Sequence, residues 1–134
     1  MTAPNDLAGR RILVVEDDML IAVFIEEVLH ELGCIVVGPV SRLDRALQLA
    51  SDEVFDAAIL DVTIRGGQVF PVAESLQARG IPFVFASGYG DWALPVSLQG
   101  QTRLTKPFTI EELQTKVQAL CQEGADLNRA RLPP

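Results

Sequence analysis

The sequence predicts an α/β domain built on a doubly wound parallel sheet, and three observations carry that expectation. Short apolar runs recur along the chain, Ile12-Leu13-Val14-Val15, Ala57-Ala58-Ile59-Leu60 and Phe83-Val84-Phe85-Ala86. Continuous runs of this length read as strands buried on both faces. Helical patterns lie between them, and strand–helix alternation implies right-handed crossovers with helices on both faces of the sheet. Each run also ends on a polar residue. The first meets Glu16-Asp17-Asp18, the second Asp61, the third Ser87, and a shorter run, Leu104-Thr105, meets Lys106-Pro107. In an open sheet the carboxyl ends of the strands share one rim where ligands bind, so acids, a hydroxyl and an ammonium group are expected to converge.

Taken in order, residues 1–9 are polar and small and read as a loose leader. Residues 11–15 form the first strand. Over 19–32, Leu20, Val23, Phe24, Val28 and Leu29 make a helical stripe, with Gly33 as terminator. The second strand is 35–38. Ser41-Arg42-Leu43-Asp44 resembles a capping box, with Asp in place of Glu, opening a helix through Ala50. The third strand lies within 54–60, followed by a loop at Arg65-Gly66-Gly67, a helix over 69–79 that stops at Gly80, and a fourth strand over 81–86. Residues 102–105 are a short fifth strand. Thr109-Ile110-Glu111-Glu112 is a second capping box, starting a helix to about Cys121. The domain is therefore expected to span 10–121, with 122–134 a frayed tail. Between Ser87 and Thr102 stand Gly88, Gly90, Pro95 and Gly100, poor material for a helix, so the fourth helix is expected to be shortened or replaced by a loop.

A chain of 134 residues fits one domain, and 49% hydrophobic content excludes general disorder. The formal charge of −7 leaves no basic face to release counterions, which argues against nucleic acid as a partner. No apolar stretch is long enough to span a membrane and no basic region precedes an apolar core at the start, so a soluble, cytoplasmic protein is expected, without a membrane partner. Cys34 and Cys121 have no metal-ligand spacing and read as small core residues. Asp18 alone suits the start of the first helix, and His30, the single histidine, suits its end.

The ILVVEDD run, the Asp closing the third strand, the Ser closing the fourth and the Lys-Pro-Phe at the fifth resemble the receiver domain of two-component response regulators. The resemblance covers nearly the whole chain. It implies a flavodoxin-like five-stranded sheet of order 2-1-3-4-5, with Asp61 as phosphoacceptor. It implies Mg2+ (or Mn2+) held directly by Asp17 and Asp61, with the Thr63 backbone carbonyl as a further oxygen and Glu16 orienting metal-bound water. Such a cation neutralises charge that would otherwise keep a carboxylate from attacking a phosphoryl group. Ser87 is implied as a hydrogen-bond donor to the phosphoryl group, Lys106 as its positive partner, and the Lys106–Pro107 bond as cis. The implied donor is a sensor histidine kinase or histidine phosphotransfer protein, and output passes to an unknown downstream protein.

With a tail too short for a DNA-binding module, the expected function is a single-domain regulator or phosphate sink; the alternative is a receiver-fold interaction module that is not phosphorylated. An enzyme of the haloacid-dehalogenase type is not expected, since Glu16 and Asp18 flank Asp17 where that chemistry needs a nucleophilic Asp and a second acid two places on. Three departures from the family stand out. Arg103 occupies the place of the usual aromatic switch residue, Arg65 stands where many receivers have proline, and Phe85-Ala-Ser-Gly-Tyr-Gly90 resembles an atypical alphaproteobacterial receiver group. Through Ser87 and Tyr89, the 88–100 segment is expected to carry the conformational response in place of the aromatic switch; the alternative is that Arg103 stays outward as a partner contact on the signalling face.

Overall fold

In the computed structural model, residues 7–88 and 94–131 are described, with side chains through 123. The elements are β1 (Arg11–Val15), α1 (Met19–Glu31), β2 (Ile35–Val40), α2 (Leu43–Asp52), β3 (Ala57–Asp61), β4 (Thr63–Ile64), β5 (Gly67–Gln68), α3 (Phe70–Ala78), β6 (Phe83–Ser87), a 3-10 turn (Val96–Leu98), β7 (Arg103–Thr105) and α4 (Ile110–Arg131). Five strands form one parallel sheet in the order β2-β1-β3-β6-β7. Setting aside the two-residue strands β4 and β5, which pair only with each other, this is the expected 2-1-3-4-5 order.

Alternation along each strand divides the core in two. Leu13, Leu60 and Phe85 face α2 and α3 in one cluster, whereas Ile12, Val14, Ile59 and Val84 face α1 and α4 in the other. Burying each of these large side chains contributes roughly 1.5–3 kcal/mol before entropic costs, and this anchors the strand ends that carry the polar residues.

Several expected boundaries shift. Residues 7–9 are docked rather than loose: Leu7 is buried with the α1 cluster, and the Gly9 amide donates to the Gly33 carbonyl at 2.8 Å; residues 1–6 lie outside the described set. On α1 the buried face is Ala22, Ile25, Val28 and Leu29, while Leu20 (84% exposed) and Val23 (45%) face outward. Residues 19–25 are all apolar, so periodicity had no contrast from which to choose a face.

The strand expected to stop at Gly38 continues to Val40, with a register shift against β1. Gly38 has φ 104°, and a Cβ there would lie 2.8 Å from the Val14 carbonyl oxygen, so the close approach requires glycine.

The two capping boxes part company. Thr109 and Glu112 form theirs reciprocally, at 2.8 and 3.0 Å. At α2 the N-cap is Arg42 with no side-chain cap bond, and Asp44 instead accepts from the Arg45 amide at 2.8 Å. The helix starts later because the Ser41 carbonyl is taken by the Arg65 amide (3.1 Å), and the Leu43 amide donates to the Arg65 carbonyl (2.8 Å). The expected loop at 65–67 is correspondingly a β4–β5 hairpin, turning through Gly66 (φ 100°) and Gly67 (φ 143°).

Among the described residues between β6 and β7, the helical structure is the 3-10 turn Val96–Leu98, in keeping with the expected shortened fourth helix. Tyr89, and with it part of the expected responsive segment, lies outside the described residues. The last helix, expected to end near Cys121 before a frayed tail, runs on to Arg131. Among the residues whose side chains are described, the last buried ones are Leu120 and Cys121. No helix among the described residues is long and apolar enough to cross a membrane.

Candidate functional site

Three strand ends assemble the site. At the end of β1, the Glu16 amide donates to the Val40 carbonyl at 2.9 Å, continuing the β1–β2 pairing one residue past the strand. This holds Glu16 inside, only 2% exposed. Its Oε2 accepts from the Asp18 amide at 3.1 Å. Asp18 itself caps α1, its Oδ1 accepting from the amides of Leu20 and Ile21, the helix-start role read from sequence. Asp17 is thus held beside Glu16 at the turn.

Asp61 closes β3, opposite Ala86 in the β3–β6 register. Ser87, one residue further, is buried and opposes Thr105 of β7. The Ser87 carbonyl accepts the Lys106 amide at 2.7 Å, which turns the lysine side chain back over the rim. Its Nζ lies 2.9 Å from Glu16 Oε1 and 3.3 Å from Asp61 Oδ1. The following Lys106–Pro107 bond is cis. Thr63 begins the hairpin two residues after Asp61, paired with Gln68. The structure therefore gathers the expected residues Glu16, Asp17, Asp61, Ser87 and Lys106 along adjoining strand ends, with Thr63 beside them.

Glu16, Asp17 and Asp61 can each offer an oxygen within 4.8 Å of the others. One ammonium faces three carboxylates (1 − 3 = −2), so the cluster holds excess negative charge. Burial, followed by the hydrogen bond and charge of Glu16, pushes the Asp61 carboxyl up to about 7, against the opposing pull of Lys106. For Lys106, burial opposes the charged form. Its hydrogen bond to Glu16 and the charges of Asp61 and Glu16 outweigh that and hold the ammonium above the usual lysine range. An all-oxygen, charge-rich donor set suits a hard divalent cation.

Sequence reasoning did not find the second wall of this site. A cleft of about 310 Å³ beside Glu16 and Asp17 is also lined by Pro39, Ser41 and Arg65. Only the tertiary pairing of the hairpin with residues 41–43 brings that wall into place, and no local pattern encodes it. On the other side of Lys106, an apolar cleft of about 370 Å³ runs between Leu20 and Phe24 of α1 and Pro107 and Phe108.

Comparison with known proteins places this geometry in a family setting. A family model described as the response regulator receiver domain matches residues 12–118. The solution structure of SdrG from Sphingomonas melonis Fr1 is 42% identical, with a TM-score of 0.72 over 90% of this chain and 98% of that one. The receiver domain of the sensor histidine kinase PA1611 from Pseudomonas aeruginosa PAO1 is 26% identical, with a TM-score of 0.71 over 86% of this chain and 99% of that one. That crystal structure has a magnesium ion coordinated in its active site cleft. Among curated proteins, the uncharacterized transcriptional regulatory protein YbdJ of Bacillus subtilis is 28% identical over 87% of this chain and 52% of its own length. The chain spans about half the length of the curated relatives it matches.

Proposed function

Because this chain belongs to the response regulator receiver domain family, we propose that it accepts a phosphoryl group on Asp61 from a phosphohistidine of a histidine kinase or phosphotransfer protein. The observation that carries the reading is the placement of Asp61 between Lys106, 3.3 Å away, and the carboxylates of Glu16 and Asp17.

An Asp61 carboxylate oxygen forms a bond to phosphorus as the phosphorus–nitrogen bond to the donor imidazole breaks; the imidazole leaves with the bond pair. The attacking group must be ionised, and in the cation-free cluster its carboxyl is pushed up to about 7. Asp17, Asp61 and the Thr63 carbonyl would hold Mg2+, with Glu16 positioning its water. When bound, the ion supplies positive charge that favours the carboxylate and offsets charge on the incoming phosphoryl oxygens. Lys106, already held at the rim by Glu16, pairs with one phosphoryl oxygen, and the Ser87 hydroxyl donates to another. Glu16 thereby keeps the ammonium aimed at the acceptor before the donor arrives. Output passes to a protein partner.

The test is incubation with acetyl phosphate and magnesium, followed by intact mass. The parent is expected to gain one phosphoryl group and Asp61→Asn none. Equal modification of the variant removes Asp61 as acceptor.

A further inference from the structure

Outside the carboxylate site, the least expected feature of an acidic chain is a concentration of arginines at the β2–α2 turn. We propose that the cleft between the edge of β2 and α2 docks an acidic segment of a protein partner, held by Arg42 and Arg45. This goes beyond the phosphoacceptor reading and does not depend on it.

The cleft encloses about 390 Å³, with Val37, Pro39, Val40 and Leu49 as an apolar floor and Arg42 and Arg45 on its rim. A parallel bridge places Arg65 of the hairpin beside Arg42, and all three arginines are exposed. Asp44 is the one carboxylate between residues 41 and 50, so with Arg42 and Arg45 the rim carries 2 − 1 = +1 on a chain of net −7, while Arg65 lines the neighbouring cleft with Glu16, Asp17 and Glu26. Its restraints are weak. Arg42 meets Asp44 at 3.4 Å with both side chains well exposed, a pair that solvent largely screens. The Arg45 guanidinium donates, among the described residues, only to the neutral Gln48 side-chain carbonyl, at 2.9 Å. Among the described residues the Arg65 side chain has no ion-pair partner.

A local reversal of sign steers an acidic partner to this surface and away from the rest of the molecule. The floor and the strand edge add shape to that charge. Among the described residues β2 pairs only with β1, so its outer edge offers backbone groups to an extended segment, except at Pro39, which has no N–H to give. A segment alternating acidic and β-branched residues meets both requirements, its carboxylates reaching the arginines and its apolar side chains the floor. Nucleic acid would meet the same arginines but would be repelled by the acidic surface around them.

The probe is a short peptide of alternating Glu and Val, blocked at both ends and titrated into the full isotope-labelled chain at low salt. A Lys–Val peptide, inorganic phosphate and a single-stranded oligonucleotide serve as comparators. The Glu–Val peptide is expected to shift the amides of residues 37–49 and 65–67. Its affinity should fall about tenfold in an Arg42→Gln/Arg45→Gln double variant and weaken with added salt. Arg65→Gln should lower it less, and because these side chains are exposed, both variants should melt with the parent. The proposal is overturned if the Glu–Val peptide shifts other residues or none, if the double variant binds it equally well, or if a comparator produces the same shifts at the same concentration.

Discussion

Two segments flank Asp61 and Ser87, and they are held in different ways. The hairpin after β3 is fixed by backbone bonds: the Arg65 amide to Ser41, the Leu43 amide to Arg65, and the Val69 amide to Val62. The described part of the connection after β6, residues 94–100, is held on α3 by side chains. Ser97 Oγ donates to Glu74 at 2.9 Å, Gln77 Nε2 donates to the Ser97 carbonyl at 2.8 Å, and Leu98 fills the core beneath. Backbone pairing of the hairpin makes one wall of the site rigid. Among the described residues the other wall rests on buried Leu98, half-buried Leu94 and two exposed side-chain bonds, so a small new interaction near Ser87 can shift its population. Because Arg103 stands where receivers usually carry the aromatic switch residue, we propose that this second wall carries the response.

The largest expected effect follows from the buried leucine of that wall. Leu98→Ala should cost about 2–4 kcal/mol in a denaturant melt, and a near-neutral result would show that the connection is not anchored where the comparison places it. A comparable effect comes from the rim itself. The Asp61 carboxyl is raised from 3.8 to about 7 in the cation-free fold. The stabilising protonated form is therefore fully present below 3.8 and lost as pH rises through about 7. Melts in chelator should show stability falling across that window by something on the order of 2 kcal/mol. Asp61→Asn should flatten the profile, and added magnesium should restore stability at neutral pH by binding linkage. A flat profile in the parent would contradict the proposed crowding of charge.

Smaller effects sharpen the contrast between backbone and side-chain restraint. Thr109→Ala should cost about 1 kcal/mol, because its cap bond is made, whereas Ser41→Ala should change stability by less than about 0.5 kcal/mol, because its hydroxyl caps nothing. Ser97→Ala should cost about 0.5–1 kcal/mol. It should also speed amide exchange at Leu98 and Gln101 while leaving Arg65 and Val69 unchanged. Equal acceleration on both walls would erase the distinction.

Much of the site was legible before the fold was. A continuous apolar run ending on a charged or hydroxyl residue marks both a buried parallel strand and the rim position after it, so Asp61, Ser87 and Lys106 announced themselves by the strands they close. The same patterns failed where the deciding contact is remote in sequence. Ser41-x-x-Asp44 and Thr109-x-x-Glu112 look alike, yet only the second caps a helix, because the hairpin claims the backbone on either side of Arg42. The α1 face eludes the pattern for another reason. Seven apolar residues in succession erase the period, and the small Ala22, not the larger Leu20 or Val23, turned inward. The extent of α4 was hidden because nothing buried follows Cys121 among the residues whose side chains are described.

The central claim, that Asp61 accepts a phosphoryl group within a cation-dependent carboxylate cluster, is tested most directly by mapping the modification to a residue. After treatment with acetyl phosphate, borohydride reduction converts an aspartyl phosphate to homoserine, which peptide mass spectrometry can place. In magnesium that conversion is expected at Asp61 alone, and in chelator almost none. Homoserine at Asp17 instead, the corresponding 5-hydroxynorvaline at Glu16, or homoserine at Asp61 to the same extent in chelator would contradict it.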